Sequence, residues 1–283
     1  MLLEKRSNES ISRQAVREII ISTVGREAWK TNQRITTLLQ IKFKEHALQN
    51  HLLLQYLGNG EIDLEMQKLA HLEFANAFSQ PFTDLLLSTM LDTNELYLSQ
   101  GAKGQMSARF LLGLNLLEEM GFTLDPKSED NISTPLNAHY LKLLQSIEAL
   151  GVTEEQRDTY KTTEATKRIV EMMFRARGNL LNELTFLTVA ESLFPLFSGL
   201  WAQSVNDLSE TKTNHGFHDI HIDDEEGNNI EDDHGGDAWH LLTQALSPER
   251  EEEVSIYMDE WLDAISGFLD GLVVLFSTNT KKN

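Results

Sequence analysis

LLNELTFLTVAESLFPLFSGLWAQSV, residues Leu180–Val205, is the segment with the clearest structural signal in the chain. Its apolar residues recur at intervals of three and four, which is typical of an α-helix with one apolar face. Glu191 lies four residues after Leu187 and three before Phe194, so its carboxylate falls on the apolar stripe. A lone buried Glu is costly unless it is paired with a cation or bound to a metal. Glu191 is therefore either half of an ion pair, with Arg175, Arg177 or a lysine, or a metal ligand.

The same helical spacing extends along most of the chain. Five prolines and 16 glycines leave long uninterrupted segments between them. Helical blocks are predicted at Ile11–Gln55, Glu61–Met90 (with a bend at Pro81), Gln105–Met120, Pro135–Leu150, Thr163–Val205, Gly236–Leu246 and Pro248–Thr278, with a further helical turn opening at Thr153. The glycines at 58, 60, 121 and 151 supply helix ends. The sequence predicts an all-α protein of about seven or more helices, with residues 1–283 as a single domain.

Composition excludes several classes of protein. The chain has 24 Lys and Arg against 44 Asp and Glu, a net charge of −20, and no cysteine. Disulfides, thiolate metal sites and thiol nucleophiles are therefore excluded, and any metal must be held by imidazole and oxygen ligands. The acidity disfavours nucleic acid and anionic membranes as partners. Residues 1–10 lack the order of a signal peptide, and the most apolar stretches, Leu193–Ala202 and Gly267–Phe276, are shorter than a bilayer span, so we expect a soluble cytoplasmic protein.

An acidic segment containing histidines, residues 207–237, stands apart from the helical blocks. It holds eleven Asp or Glu and one Lys, a local charge of −10, together with four of the nine histidines. Within it, His221 and Asp224 precede Glu231 and His234, which are neighbours on one helix face if that helix begins early. The segment does not fit an EF-hand loop, because alignment on Gly227 leaves a non-ligand at the first position. A metal-binding cluster and a solvated acidic loop both remain open.

A second carboxylate, Glu73, lies in the helical stretch Ala70–Phe78, which small and apolar side chains dominate. Glu73 is either a metal ligand or a surface residue at the helix edge. His71, two residues earlier, is either a ligand or a core histidine with satisfied hydrogen bonds. In helical metalloproteins, carboxylates that project inward from facing helices are the recurring ligands of di-iron centres.

The order of these features resembles the haem-oxygenase-like helical superfamily, which includes the TenA thiaminases, the PQQ-synthesis oxidase and the haem-oxygenase-like di-iron oxidases. The matching residues span most of the chain: His51–Gly60 with its Asn-Gly turn, Asn115–Gly121, His139, Gly151, Asn182–Leu200 with Glu191, and His221 thirty residues later. The chain departs from the di-iron pattern at Asn76, where the early histidine is expected three residues after Glu73, and at Gly227 in the final motif.

The resemblance implies a haem-oxygenase-like up-down helical bundle that holds one or two non-haem Fe ions, with Mn or Zn as alternatives. The ligands it implies are Glu73, Glu191, His221, Asp224, Glu231 and His234. The expected activity is O₂-dependent oxidation of a small amine, amino acid or acyl substrate, in a possible homodimer. Two other functions stay open: a hydrolase or other metalloenzyme that uses zinc or manganese, and a metal-free binding or interaction protein that keeps the fold. Thiaminase chemistry is excluded because it needs a thiol.

Overall fold

The computed structural model describes residues 2–122, 133–208, 216–218 and 230–279 of the chain. Every regular element in these ranges is helical, which confirms the all-α class. The α-helices are α1 (Leu2–Val24), α2 (Arg26–Glu45), α3 (Leu52–Gly58), α4 (Leu64–Phe74), α5 (Gln80–Asp92), α6 (Asn94–Glu119), α7 (His139–Ala149), α8 (Glu154–Asp158), α9 (Glu164–Ala176), α10 (Leu180–Leu208), α11 (Ile230–Ala245) and α12 (Glu251–Asn279).

Two of the predicted helical blocks are each divided by a glycine. Gly25 separates α1 from α2, and Gly178 separates α9 from α10; their φ angles are +88° and +85°. Residues other than glycine rarely adopt this left-handed backbone conformation, which interrupts the α-helix at both positions. Gly121 ends α6 as the sequence predicts, because its N–H donates to the carbonyl of Glu118. Because the apolar spacing continues across Gly25 and Gly178, the sequence predicts one helix at each place where the structure has two.

The predicted bend near Pro81 takes the form of a wide helical turn. Residues Ala75–Ser79 form a π-helix between α4 and α5, and Pro81 lies in the first turn of α5. Proline lacks the N–H that an α-helix would direct to the carbonyl four residues earlier, which favours a break in the regular ladder at this point. Phe78, Ser79 and Phe82 from this region line a cavity described below.

Helix α10 lies at the centre of the bundle and packs against α11, α12, α9, α5, α4 and α3. Pro195 stands inside α10, so the carbonyl of Glu191 cannot receive the usual N–H from four residues ahead. Gly235 of α11 packs against this carbonyl: a Cβ on Gly235 would lie 3.5 Å from its oxygen. The absence of a side chain at Gly235 therefore lets α11 cross α10 closely beside Glu191.

Two helical segments, Leu180–Leu208 and Pro248–Thr278, are long and apolar enough to cross a membrane by length and composition. This corrects the expectation that the apolar stretches are too short, since each continues into a longer helix. Core helices of soluble proteins can be equally long and apolar, and residues of both segments contribute to the hydrophobic core of the bundle. The cytoplasmic location stays a prediction.

Glu183 of α10 is fully buried and makes stability depend on pH. Burial, together with the nearby carboxylate of Asp92, raises the pKa of Glu183 to about 8, against smaller opposing effects of Ser88 and Arg177. Folding therefore favours the protonated acid, and its contribution to stability falls as pH rises from about 4.5 to about 8. Glu183→Gln, which stays neutral, should equal the wild type at pH 4.5 and exceed its free energy of unfolding at pH 8.5 by on the order of 3 kcal/mol.

Urea denaturation at a series of pH values measures this effect. The matched control is Glu164→Gln, because Glu164 is a carboxylate on the surface of α9, with its side chain 89% exposed. The control should follow the wild-type pH profile. Parallel pH profiles for wild type and Glu183→Gln would contradict the prediction.

Candidate functional site

A cavity of about 110 Å³, partly open to solvent, lies beside α10 and is lined mainly by apolar side chains. Phe74, Phe194, Phe197 and Trp201 form an aromatic cluster on its wall, with neighbouring ring centroids 4.8–6.1 Å apart. Three ionisable side chains also line it: Glu119, His139 and Glu191. The cavity therefore combines an apolar body with a wall that carries carboxylates and an imidazole.

Glu191 lies where α6, α10 and α11 meet, and only 5% of it is exposed. The Asn115 amide of α6 donates a 2.7 Å hydrogen bond to its Oε1. Its Oε2 lies 3.8 Å from Nδ1 of His234 on α11. This confirms that the carboxylate on the apolar stripe of α10 is buried and brings it beside a second predicted site residue, His234.

His234 is oriented by Glu118, the penultimate residue of α6. The two side chains lie 2.5 Å apart, from Nε2 of the ring to Oε2 of the carboxylate. Burial on its own would raise the pKa of Glu118, but the hydrogen bond and charge of His234, assisted by Arg13 and His139, hold that pKa below its ordinary value. Glu118 is thus an ionised acceptor, and the other ring nitrogen of His234, Nδ1, faces Glu191.

His139 and Glu119 form a second pair of the same kind. Nδ1 of His139, the first residue of α7, lies 2.9 Å from Oε1 of Glu119. Adjacent residues of an α-helix point in directions about 100° apart, so Glu118 and Glu119 can orient two different imidazoles. A carboxylate that fixes the tautomer of a histidine is the usual support of an imidazole metal ligand.

A buried ion cluster lies behind His234 and ties α1 to α11. Asp237 accepts from Arg13 Nη1 at 2.5 Å and from Arg17 Nε at 2.9 Å. Arg13 also lies 3.5 Å from Glu118, so the cluster continues to the carboxylate that orients His234. Gly236 makes room for it, because a Cβ at that position would stand 3.1 Å from the Arg17 guanidinium.

Glu73 is fully buried, and its carboxylate is occupied by donors from the N-terminal end of α9. It accepts from the Tyr160 hydroxyl at 2.5 Å, from the Thr163 backbone N–H at 3.0 Å and from the Thr163 hydroxyl at 2.9 Å, and the Thr166 hydroxyl donates as well. Glu73 is not among the residues that line the cavity. The contacts favour a structural task for Glu73; its role as a metal ligand stays a prediction.

His71 lies in a buried aromatic cluster rather than beside Glu191. Its Nδ1 is 2.7 Å from the carbonyl of Gln67, which can only accept, so Nδ1 carries the hydrogen. Burial lowers the pKa of His71 to about 4, so the ring is neutral at pH 7 and its Nε2 accepts from Nε2–H of His218 at 2.9 Å. The ring packs on Trp201, with centroids 4.5 Å apart. This arrangement agrees with the interpretation of His71 as a core histidine.

The remaining predicted ligands come from the acidic segment. His221 and Asp224 lie outside the described residues, as does the side chain of Glu231. The backbone of α11 begins at Ile230, so Glu231 and His234 do share one helix. Within the part of the chain that the structure describes, no three acidic, histidine or cysteine side chains form a group that could hold a metal ion by themselves.

Sequence reasoning missed Glu119 and His139 as site residues. Both occur in segments that carried the family resemblance, Asn115–Gly121 and the start of α7, but no apolar spacing set them apart as buried. Their convergence depends on the packing of α7 against α6, which joins residues twenty positions apart. Because twenty residues separate Glu119 from His139, no local spacing in the sequence links the two side chains.

No protein-family model and no curated protein match this chain.

Proposed function

We propose that the chain is an O₂-dependent non-haem iron oxidase of the haem-oxygenase-like helical superfamily, with one or two iron ions bound at the cavity wall. The observation that carries the proposal is the buried Glu191 carboxylate at the wall of an apolar cavity, with the carboxylate-oriented imidazole of His234 facing it and that of His139 lining the same cavity. Nitrogen and oxygen donors of this kind suit iron, manganese and zinc.

The distance between the donor atoms of Glu191 and His234 fits a metal ion shared by both. Nδ1 of His234 and Oε2 of Glu191 are 3.8 Å apart, too far for a hydrogen bond. Two atoms that each bind one ion at about 2.0–2.2 Å stand no more than about 4.4 Å apart, so this gap suits a shared metal. Glu191 and His234 are the described donors that face one another, and His139 and Glu119 line the same cavity as Glu191. Because no three described side chains form a metal-holding group by themselves, the predicted His221, Asp224 or Glu231 would have to join them.

The protein's own residues prepare this site in three ways. Glu118 hydrogen-bonds Nε2 of the His234 ring, which directs the ring's Nδ1 toward Glu191. The Asn115 amide donates a hydrogen bond that orients the Glu191 carboxylate. The aromatic cluster gives the cavity an apolar wall against which the hydrocarbon part of a substrate could pack. Iron, when bound, would supply O₂ activation at open coordination positions. A small-molecule substrate would occupy the cavity, while a homodimer stays a prediction.

Metal analysis by mass spectrometry on protein expressed with added iron tests the proposal. We expect one to two irons per chain in the wild type, and a loss of at least roughly tenfold in metal affinity in His234→Ala and His139→Ala. The matched control is His240→Ala, because His240 lies on the same helix as His234 but contacts Trp29 and the Arg17 carbonyl instead. That variant should keep its iron.

Three outcomes would count against the proposal in different ways. Zinc or manganese in the wild type, lost in the same variants, would favour another metalloenzyme. An absence of metal in every preparation would favour a metal-free binding protein. Equal iron loss in His240→Ala would show that the effect follows from folding rather than from ligation. Oxygen consumption by the iron-loaded wild type, measured with an electrode, then tests the oxidase chemistry itself.

A further inference from the structure

The lining of the cavity is rich in aromatic rings. Seven of the chain's thirteen phenylalanines line it together with Trp201, and they come from the α4–α5 region, α10, α12 and the segment between α10 and α11. Neighbouring rings meet edge to face: the angle between the ring planes is 88° for Phe78 and Phe268 and 82° for Phe194 and Phe197. Aromatic rings favour this arrangement because the positive edge of one ring faces the negative face of the next. A space among such rings therefore offers both edges and faces to one further ring.

Several of these rings are incompletely covered by the protein. Five phenylalanines are intermediate in exposure although each lines the cavity: Phe74, Phe78, Phe82, Phe194 and Phe197. Removing apolar surface from water is favourable roughly in proportion to its area. A ligand that covers these rings gains affinity both from its own apolar surface and from theirs.

The polar groups of the lining already have partners within the protein. Oε1 of Glu119 lies 2.9 Å from Nδ1 of His139. Glu191 accepts a hydrogen bond from Asn115 and faces Nδ1 of His234. A metal bound as proposed above would engage the same wall. A charged head group would give up its hydration to meet groups that are already engaged, which is costly, so the lining favours a neutral ligand.

The volume of the cavity limits the ligand to a single ring. An apolar cavity of about 150 Å³ lined by Leu, Ile and Phe binds benzene. The present cavity has a similar lining and a volume of about 110 Å³, and it is partly open to solvent. It therefore accommodates one six-membered ring with a small substituent, whereas two fused rings would force the side chains of the wall apart.

We infer that the cavity binds a neutral molecule built on a single aromatic ring, which packs among the phenylalanines of α4, α10 and α12. As a statement about the substrate of an oxidase, the inference rests on the proposed function. Binding itself follows from the apolar lining and requires no metal, so it can be tested separately.

Isothermal titration calorimetry on the full chain, as purified and again after treatment with a chelator, tests the inference. Toluene and cyclohexane have similar volumes, and cyclohexane is the more hydrophobic of the two. We nevertheless expect toluene to bind at least about threefold more tightly, because only toluene can pack edge to face with the lining. Naphthalene, with two fused rings, should bind at least about tenfold more weakly than toluene.

A second set of probes tests the neutral character of the ligand. Benzyl alcohol, benzylamine and benzoate carry the same ring and differ in the charge of the substituent. We expect benzyl alcohol to bind at least about tenfold more tightly than either charged molecule, since neither charge gains a new partner at the wall. Salt at about 0.3 M screens attraction of benzylamine to the acidic surface.

Variants that change the cavity volume locate the ligand. Ala190 and Phe197 both line the cavity. Ala190→Leu fills space and should weaken toluene binding about tenfold, whereas Phe197→Ala enlarges the cavity and should strengthen naphthalene binding about tenfold. The matched controls are Ala102→Leu and Phe174→Ala, at exposed positions that do not line the cavity. Thermal melting checks folding, and each of the two cavity variants tests the location independently of the other.

Several results would overturn the inference. Cyclohexane or naphthalene binding as tightly as toluene would contradict the single aromatic ring, and benzylamine or benzoate binding as tightly as benzyl alcohol would contradict its neutral character. Affinities unchanged in both cavity variants would place the ligand elsewhere, and no binding of toluene by the wild type would refute the inference entirely. Metal content is measured separately: toluene binding without iron refutes only the oxidase, and iron without toluene binding refutes only the ligand class.

Discussion

Replacing Glu73 with alanine is expected to lower the free energy of unfolding by about 3–5 kcal/mol, even in metal-free protein. The Glu73 carboxylate accepts hydrogen bonds from Tyr160, Thr163 and Thr166 in a fully buried position. Its removal leaves these donors without their acceptor and leaves a cavity between α4 and the start of α9. Since small domains are stable by only about 5–15 kcal/mol, this is a large fraction of the total.

Urea denaturation of metal-free wild type and variants measures the loss. Glu73→Gln keeps one carbonyl acceptor but loses the charge, so its effect should be intermediate. Glu65→Ala is the matched control, because Glu65 lies on the same helix with an exposed ion pair to Lys68. Exposed pairs of this kind contribute about 0–1 kcal/mol. A small loss of stability in Glu73→Ala, accompanied by loss of iron from the loaded protein, would instead support Glu73 as a metal ligand.

Replacing Asp237 with alanine is expected to cost about 3–5 kcal/mol, because the buried guanidinium of Arg13 loses the carboxylate that compensates its charge. Arg17 loses the same partner, at 2.6 Å from its Nη2. Removing one member of a buried ion cluster is more damaging than removing the whole cluster, since the remaining charge stays desolvated. The double variant Arg13→Met, Asp237→Leu should therefore be more stable than Asp237→Ala alone.

Urea denaturation of Asp237→Ala and of the double variant provides this comparison, and the single variants Arg13→Met and Asp237→Leu complete a double-mutant cycle. Asp259→Ala is the control, because Asp259 pairs with Lys42 at 2.7 Å but is more than half exposed. It should change stability by less than about 1 kcal/mol. The prediction fails if Asp237→Ala and Asp259→Ala have equal effects, or if the double variant is less stable than the single one.

Local features of the helices were predictable from the sequence. The spacing of apolar residues in Leu180–Val205 predicted the central helix and the burial of Glu191, and both are confirmed. Gly121 and Thr153 were predicted to end and begin helices; Thr153 caps α8 in a capping box with Gln156. These features depend on residues within one or two turns of one another, and such local interactions are encoded directly in the order of residues.

Which residues meet at the site depends on packing between helices that are distant in the sequence. His139 reaches Glu119 across a connection of twenty residues, and Arg13 reaches Asp237 across most of the chain. The sequence also cannot distinguish a buried carboxylate that faces a cavity from one that holds a neighbouring helix, as the different surroundings of Glu191 and Glu73 show.

The acidity, the lack of cysteine, the all-α class and the inward-facing glutamate of the central helix all follow from the order of residues alone. The imidazoles and carboxylates that surround that glutamate follow instead from the packing of distant helices, because their approach is fixed by helix crossings such as that of α11 at Gly235. Helical periodicity indicates that a side chain faces inward, but the residues that the side chain contacts belong to the elements on the opposite side of the core. For this reason the burial of Glu191 could be inferred from sequence, whereas its place beside His234, Asn115 and an apolar cavity could not.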